Sequence, residues 1–122
     1  MGVELNHTIV WASDREASAG FLAGILGLPV GPVAGPFRQL RLANGVTLDF
    51  AMAEGAVQGQ HYAFLVGDGE FDAALARLRA SGTPFWADPF HRVPDEINHE
   101  LGGRGVYFAD PDGHNLELLT RA

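Results

Sequence analysis

Apolar and polar positions alternate through residues 6–12, Asn-His-Thr-Ile-Val-Trp-Ala, and β-branched and aromatic side chains fill the run. That pattern predicts a strand, with His7, Ile9 and Trp11 on one face and Thr8 and Val10 on the other. The period then lengthens. Phe21, Leu22 and Ile25 recur at helical spacing and predict a helix over roughly 14–26. Ser13 with Glu16 forms a candidate capping box at its start. Gly27 offers a left-handed end, and Pro29 blocks continuation. The stretch from Gly31 to Gly35, interrupted by Pro32, reads as a short strand or irregular edge. A strand from Phe37 to Leu42 follows, and Ala43-Asn44-Gly45 makes a tight connection into Val46–Met52.

The second half repeats this grammar. Residues 60–66 read as a strand, Asp68 as an N-cap, and roughly 69–80 as a helix with Phe71, Leu75 and Leu78 on its apolar stripe. Gly82 and Pro84 stand where Gly27 and Pro29 stand in the first half. Phe85-Trp86, Gly105–Ala109 and Asn115–Leu119 supply the remaining strands, with Asp110-Pro111-Asp112-Gly113 as a turn. The fold class is α+β: one domain over residues 1–122, made of two βαβββ modules at roughly 5–54 and 58–120. The second module is longer because of an insertion within Asp88–Gly103, the most polar and irregular stretch. Neither small sheet buries its apolar face alone, so the modules share a core, either within one chain or exchanged between two.

Composition narrows the function. The net charge is -7, and the eight basic residues, all arginines, are scattered. No basic stripe is available to a nucleic acid. No apolar run reaches membrane-spanning length and no signal-like start is present, so a cytoplasmic location is expected. The absence of cysteine excludes disulfides, thiolate nucleophiles and cysteine-based metal sites.

The repeat also carries candidate chemistry. His7 matches His61 at the start of each module, and Asp49 matches Glu117 near each module's end. Imidazole is a strong nitrogen donor, and a carboxylate offsets metal charge. His7, His61 and Glu117 are the expected metal ligands. Two histidines and one carboxylate leave coordination positions open, as in non-haem Fe(II) chemistry. Asp49 either joins the shell, directly or through water, or serves as a base.

These residues give the chain its family resemblance. From Asn6-His7-Thr8 through Gln60-His61-Tyr62 to Asp110-Pro111-Asp112-Gly113-His114-Asn115-Leu116-Glu117, it resembles the vicinal oxygen chelate superfamily of glyoxalases, bleomycin-resistance proteins and dioxygenases. The resemblance implies paired βαβββ modules forming a metal-binding cleft, with metal positions at His7, His61 and Glu117. It also implies a homodimer. Asp49 stands where glyoxalase I-like members usually carry a glutamate. Ile97-Asn98-His99, Val106-Tyr107 and the Asp110–Glu117 ending further resemble the extradiol dioxygenase signature, which implies that His99 and Tyr107 lie near the substrate. The histidine that serves many extradiol enzymes as base has no clear match ahead of His61.

The expected function is a metal-dependent enzyme with dioxygenase-like chemistry on a small aromatic substrate bearing vicinal oxygens, such as a catechol. Fe(II) is the favoured cofactor, with Ni, Co, Zn or Mn as other candidates. Tyr107, His99 and Asp49 are the candidate catalytic residues. A glyoxalase-like lyase or isomerase and a protein that sequesters a drug or metabolite are the alternatives. The insertion reads as a substrate lid, and Arg92 or Arg104 either contacts an anionic substrate or pairs with nearby acids.

Overall fold

A computed structural model of the chain describes residues 2–122. The first module runs β1 (His7–Ala12), α1 (Arg15–Leu26), β2 (Val33–Ala34), β3 (Phe37–Arg41) and β4 (Thr47–Met52). The second runs β5 (His61–Leu65), α2 (Asp68–Ser81), β6 (Phe85–Trp86), β7 (Gly105–Ala109) and β8 (Asn115–Leu119), with a short 3-10 turn at Glu100–Gly102. The paired βαβββ pattern of the sequence is therefore the architecture. Each module is a four-stranded mixed sheet, ordered β1-β4-β3-β2 and β5-β8-β7-β6. In both, the first strand lies parallel to the last, and the last pairs antiparallel with its predecessor.

Helix boundaries follow local chemistry. Asp14, rather than Ser13, caps α1: its Oδ1 accepts from Glu16 N at 3.0 Å and Ala17 N at 3.2 Å. The expected capping box fails because Glu16 is drawn to Arg38, 2.7 Å away, while Ser13 N donates to Asp112 across the module boundary. Gly27 ends α1 in the left-handed region, and Gly82 does the same for α2. Asp68 is the first residue of α2 rather than its cap. Gly67 holds the cap position without a side-chain bond, and Asp68 instead pairs with Arg104.

The modules share one core. Val10, Leu22, Ile25, Leu40 and Phe50 from the first join Phe71, Leu78, Phe108 and Leu118 from the second in a single buried cluster. Each such side chain contributes about 1.5–3 kcal/mol through burial. The junction runs through the helices: α1 packs on α2, and Phe21 of α1 meets Phe108 of β7 with ring centroids 6.2 Å apart. Among the described residues the two sheets share no ladder, so β1 and β5 are both edge strands. No described helix is long and apolar enough to cross a membrane.

His114 ties the modules together. It is 1% exposed. Its Nδ1 accepts the Gln60 N–H at 2.9 Å, which places the ring proton on Nε2, and Nε2 donates to the Trp11 carbonyl at 2.8 Å. Both ring nitrogens are used, so His114 is a neutral structural residue. His114→Ala leaves an N–H and a carbonyl unpaired and opens a cavity, which should cost about 3 kcal/mol. Urea unfolding checks this as a lowered midpoint at unchanged slope.

Candidate metal centre

Strand register decides which side chains share a face. In the second module's sheet, His61 lies opposite Asn115, and Glu117, two pairs further along and so on the same face, lies opposite Ala63. Tyr107 faces Glu117 from the other side, and Trp86 faces Tyr107. Alternation sends Leu116 and Leu118 into the core and leaves Asn115, Glu117 and His61 on the open face. A one-residue slip of β8 would bury Glu117 among apolar side chains.

His61 Nδ1 lies 2.9 Å from the Asn115 carbonyl oxygen, which only accepts. Nδ1 therefore carries a proton. The remaining nitrogen, Nε2, stands 3.1 Å from Glu117 Oε1. In the neutral imidazole this sets a nitrogen lone pair against a carboxylate oxygen, two acceptors aimed at one point. Such a contact requires a proton or a cation between the two acceptors. A backbone carbonyl fixing the tautomer of a ligating histidine is the usual outer arrangement of metal sites. The pair fits half of a divalent-cation site.

Tyr107 lies beside the carboxylate. It is 7% exposed, and burial, followed by the charge of Glu117 beside it, pushes its phenol up to about 12. At neutral pH it is a hydrogen-bond donor. Its ring also lies near His61, with centroids 6.1 Å apart.

The first module repeats this layout with different groups. His7 lies opposite Thr47, and Asp49 opposite Ile9 on β1 and Gln39 on β3. Asp49 is 5% exposed, and Gln39 Nε2 donates to its Oδ1 at 3.0 Å. His7 is exposed and touches its neighbour Asn6. Among the described residues of one chain, no three histidines or acids gather where a metal would sit. The chain thus brings His61 and Glu117 together, while His7 does not join them within the same copy. His99 is exposed beside the 3-10 turn. Arg104 pairs with Asp68 and Asp72, and Arg92 lies over the Phe90 ring. The Asn115 backbone carbonyl orients His61 and the Gln39 side-chain amide orients Asp49. Neither role has a sequence motif, and only strand register reveals the partners.

Comparison with known proteins agrees with this fold. The family model described as the Glyoxalase/Bleomycin resistance protein/Dioxygenase superfamily matches residues 4–118. Glutathione transferase FosA from Serratia marcescens is 31% identical over 120 residues, spanning 93% of this chain and 78% of that protein. The solved structure named Oxidase ChaP-H2 is 58% identical with a TM-score of 0.97, covering 100% of this chain and 96% of its own. Oxidase ChaP-H1 is 60% identical, also with a TM-score of 0.97, covering 99% and 98%.

The Tyr107 environment has a measurable consequence. The folded value is raised above the unfolded 10.0, so its stabilising effect is complete below about pH 10 and is lost as pH rises through about 12. Tyr62, the other of the two tyrosines, is also raised, by burial and then by Asp110. In chelator-treated protein, phenolate absorbance should stay low at pH 10, where denatured protein is half ionised. Tyr107→Phe should remove the latest step of the titration.

Proposed function

Because the chain belongs to the glyoxalase/bleomycin resistance protein/dioxygenase superfamily, we propose that it is a metal-dependent oxidising enzyme, active as a homodimer. In this reading His61 and Glu117 of one copy and His7 of a second copy hold a divalent cation. The observation that carries it is the fixed His61 tautomer, whose free Nε2 meets Glu117 Oε1 at 3.1 Å.

The second copy is argued from edges. β1 and β5 are uncharged edge strands of six and five residues, whereas the opposite edges, β2 and β6, are two residues long. Long, uncharged edges invite pairing. Ile9, Trp11, Met52 and Leu65 are exposed on or beside them. Joining the first module of one copy to the second module of another would cover these side chains and complete the ligand set with twofold symmetry.

Fe(II), favoured here over Ni, Co, Zn or Mn, would lower the cost of deprotonating a chelating substrate and supply a redox centre for dioxygen. His61 is held in ligating form by the Asn115 carbonyl. Tyr107 keeps its proton and holds the Glu117 carboxylate, leaving its ring to flank a bound substrate. Asp49, buried and steadied by Gln39, is the carboxylate available to accept a substrate proton on the face of the first module. His99 has no assigned role. We take the substrate to be a small aromatic with vicinal oxygens; the aromatic neighbours Tyr107 and Trp86 support the aromatic part, and the two similar proteins named oxidases support oxidation. The transferase name of the 31% identical FosA favours a second, non-oxidative reading. Oxygen consumption on turnover separates the two.

Subunit mixing tests the shared site. His7→Ala and His61→Ala homodimers should each lose near-stoichiometric metal after anaerobic loading with Fe(II). Mixed and re-equilibrated, they should recover about a quarter of the wild-type sites, because half the dimers are then mixed and each holds one intact site. No recovery in a mixture shown to exchange subunits would defeat the shared-site assignment.

A further inference from the structure

The inserted segment contains three non-glycine residues at positive φ: His91 at 57°, Asp95 at 62° and Leu101 at 56°. Side chains sit there under strain and persist where their surroundings over-determine them. His91 is held in that way. Its imidazole lies flat on the Trp86 indole, centroids 3.9 Å apart and planes 4° from parallel. Its Nε2 stands 2.9 Å from Asn115 Oδ1.

Asn115 settles the direction of that bond. Its Nδ2 donates to the Pro89 carbonyl at 3.1 Å, so Oδ1 is the acceptor and His91 Nε2 carries the proton. The backbone carbonyl of the same Asn115 accepts from His61 Nδ1. One residue thus joins the insertion to the histidine of the metal centre. On the other side, Trp86 leads through its strand partner Tyr107 to Glu117. The loop itself does not depend on His91. Residues 88–93 wind around Asp88, whose carboxylate accepts from Phe90 N, Arg92 N and Val93 N.

We propose that His91 is a positioning residue for the His61–Glu117 pair, an inference that rests on the metal-site reading above. Its N–H and its stack fix the Asn115 carboxamide. That fixes the start of β8, which supplies both the carbonyl orienting His61 and, two residues on, the carboxylate of Glu117. The strained backbone at His91 is what brings the ring to both partners at once. A residue present only for stability would be improved on by one that relieves the strain.

His91→Gly separates the two roles, since glycine tolerates the positive φ. Chelated protein is titrated with Co(II), followed by calorimetry and by the visible absorption bands that report ligand geometry. His91→Gly should unfold in urea at or above the wild-type midpoint yet bind Co(II) about tenfold more weakly, with shifted bands. His91→Phe, which keeps the stack and lacks the donor, should also weaken binding. His91→Gln, which restores an N–H donor, should recover most of the affinity. Wild-type affinity and bands in both His91→Gly and His91→Phe, while His61→Ala loses Co(II), would overturn the role of His91 alone. Undiminished Co(II) binding by His61→Ala would overturn the underlying metal site.

Discussion

Parallel pairing of the first strand with the last in each module is the constraint on which the rest depends. A parallel neighbour cannot be reached by a tight turn, so each module must spend a helix and further strands before returning to its starting strand. The register that results sets His61 beside Asn115 and Glu117 two pairs further on, on a single face. The first module repeats it, with His7 beside Thr47 and Asp49 two pairs further on. Function in this chain therefore begins as a matter of register. The core side chains Phe64, Leu116 and Leu118 hold that register by filling the opposite face.

What the sequence discloses and what it conceals divide along the same line. Strand and helix placement is legible because alternation, Gly27, Gly82 and the Asn44-Gly45 turn act locally. The capping pattern at Ser13 misleads because Glu16 has a better partner in Arg38, which local spacing cannot show. That His61 and Glu117 lie on one face can be read from the repeat. Whether His7 approaches them cannot, since it depends on how two modules dock, and within one copy they dock through α1 and α2. Asn115, Gln39 and His91 stay hidden for another reason: their importance lies in the direction of single hydrogen bonds, which no periodicity encodes.

His91 and His114 show how bonding partners separate roles among histidines in one small chain. His114 spends both ring nitrogens on backbone groups in the core, so it has no lone pair for chemistry. His61 spends one nitrogen on a carbonyl and turns the other toward a carboxylate. His91 spends one on a side-chain amide and its ring face on Trp86. Exposure alone would rank them poorly, since His7 and His99 are exposed as well.

The apolar surface bears on the same point. Ile9 and Trp11 follow His7 along one face of β1, and Ala63 and Leu65 follow His61 along the matching face of β5. Single exposed apolar residues mean little, but here they line the two long edge strands and flank the two equivalent histidines. If these faces met across two copies, one event would cover the exposed side chains, extend the strand pairing and supply the third ligand of the proposed metal site. Under the shared-site proposal, the apolar edges and the incomplete ligand set are one feature, in which burial of surface would provide the free energy that assembles the metal centre.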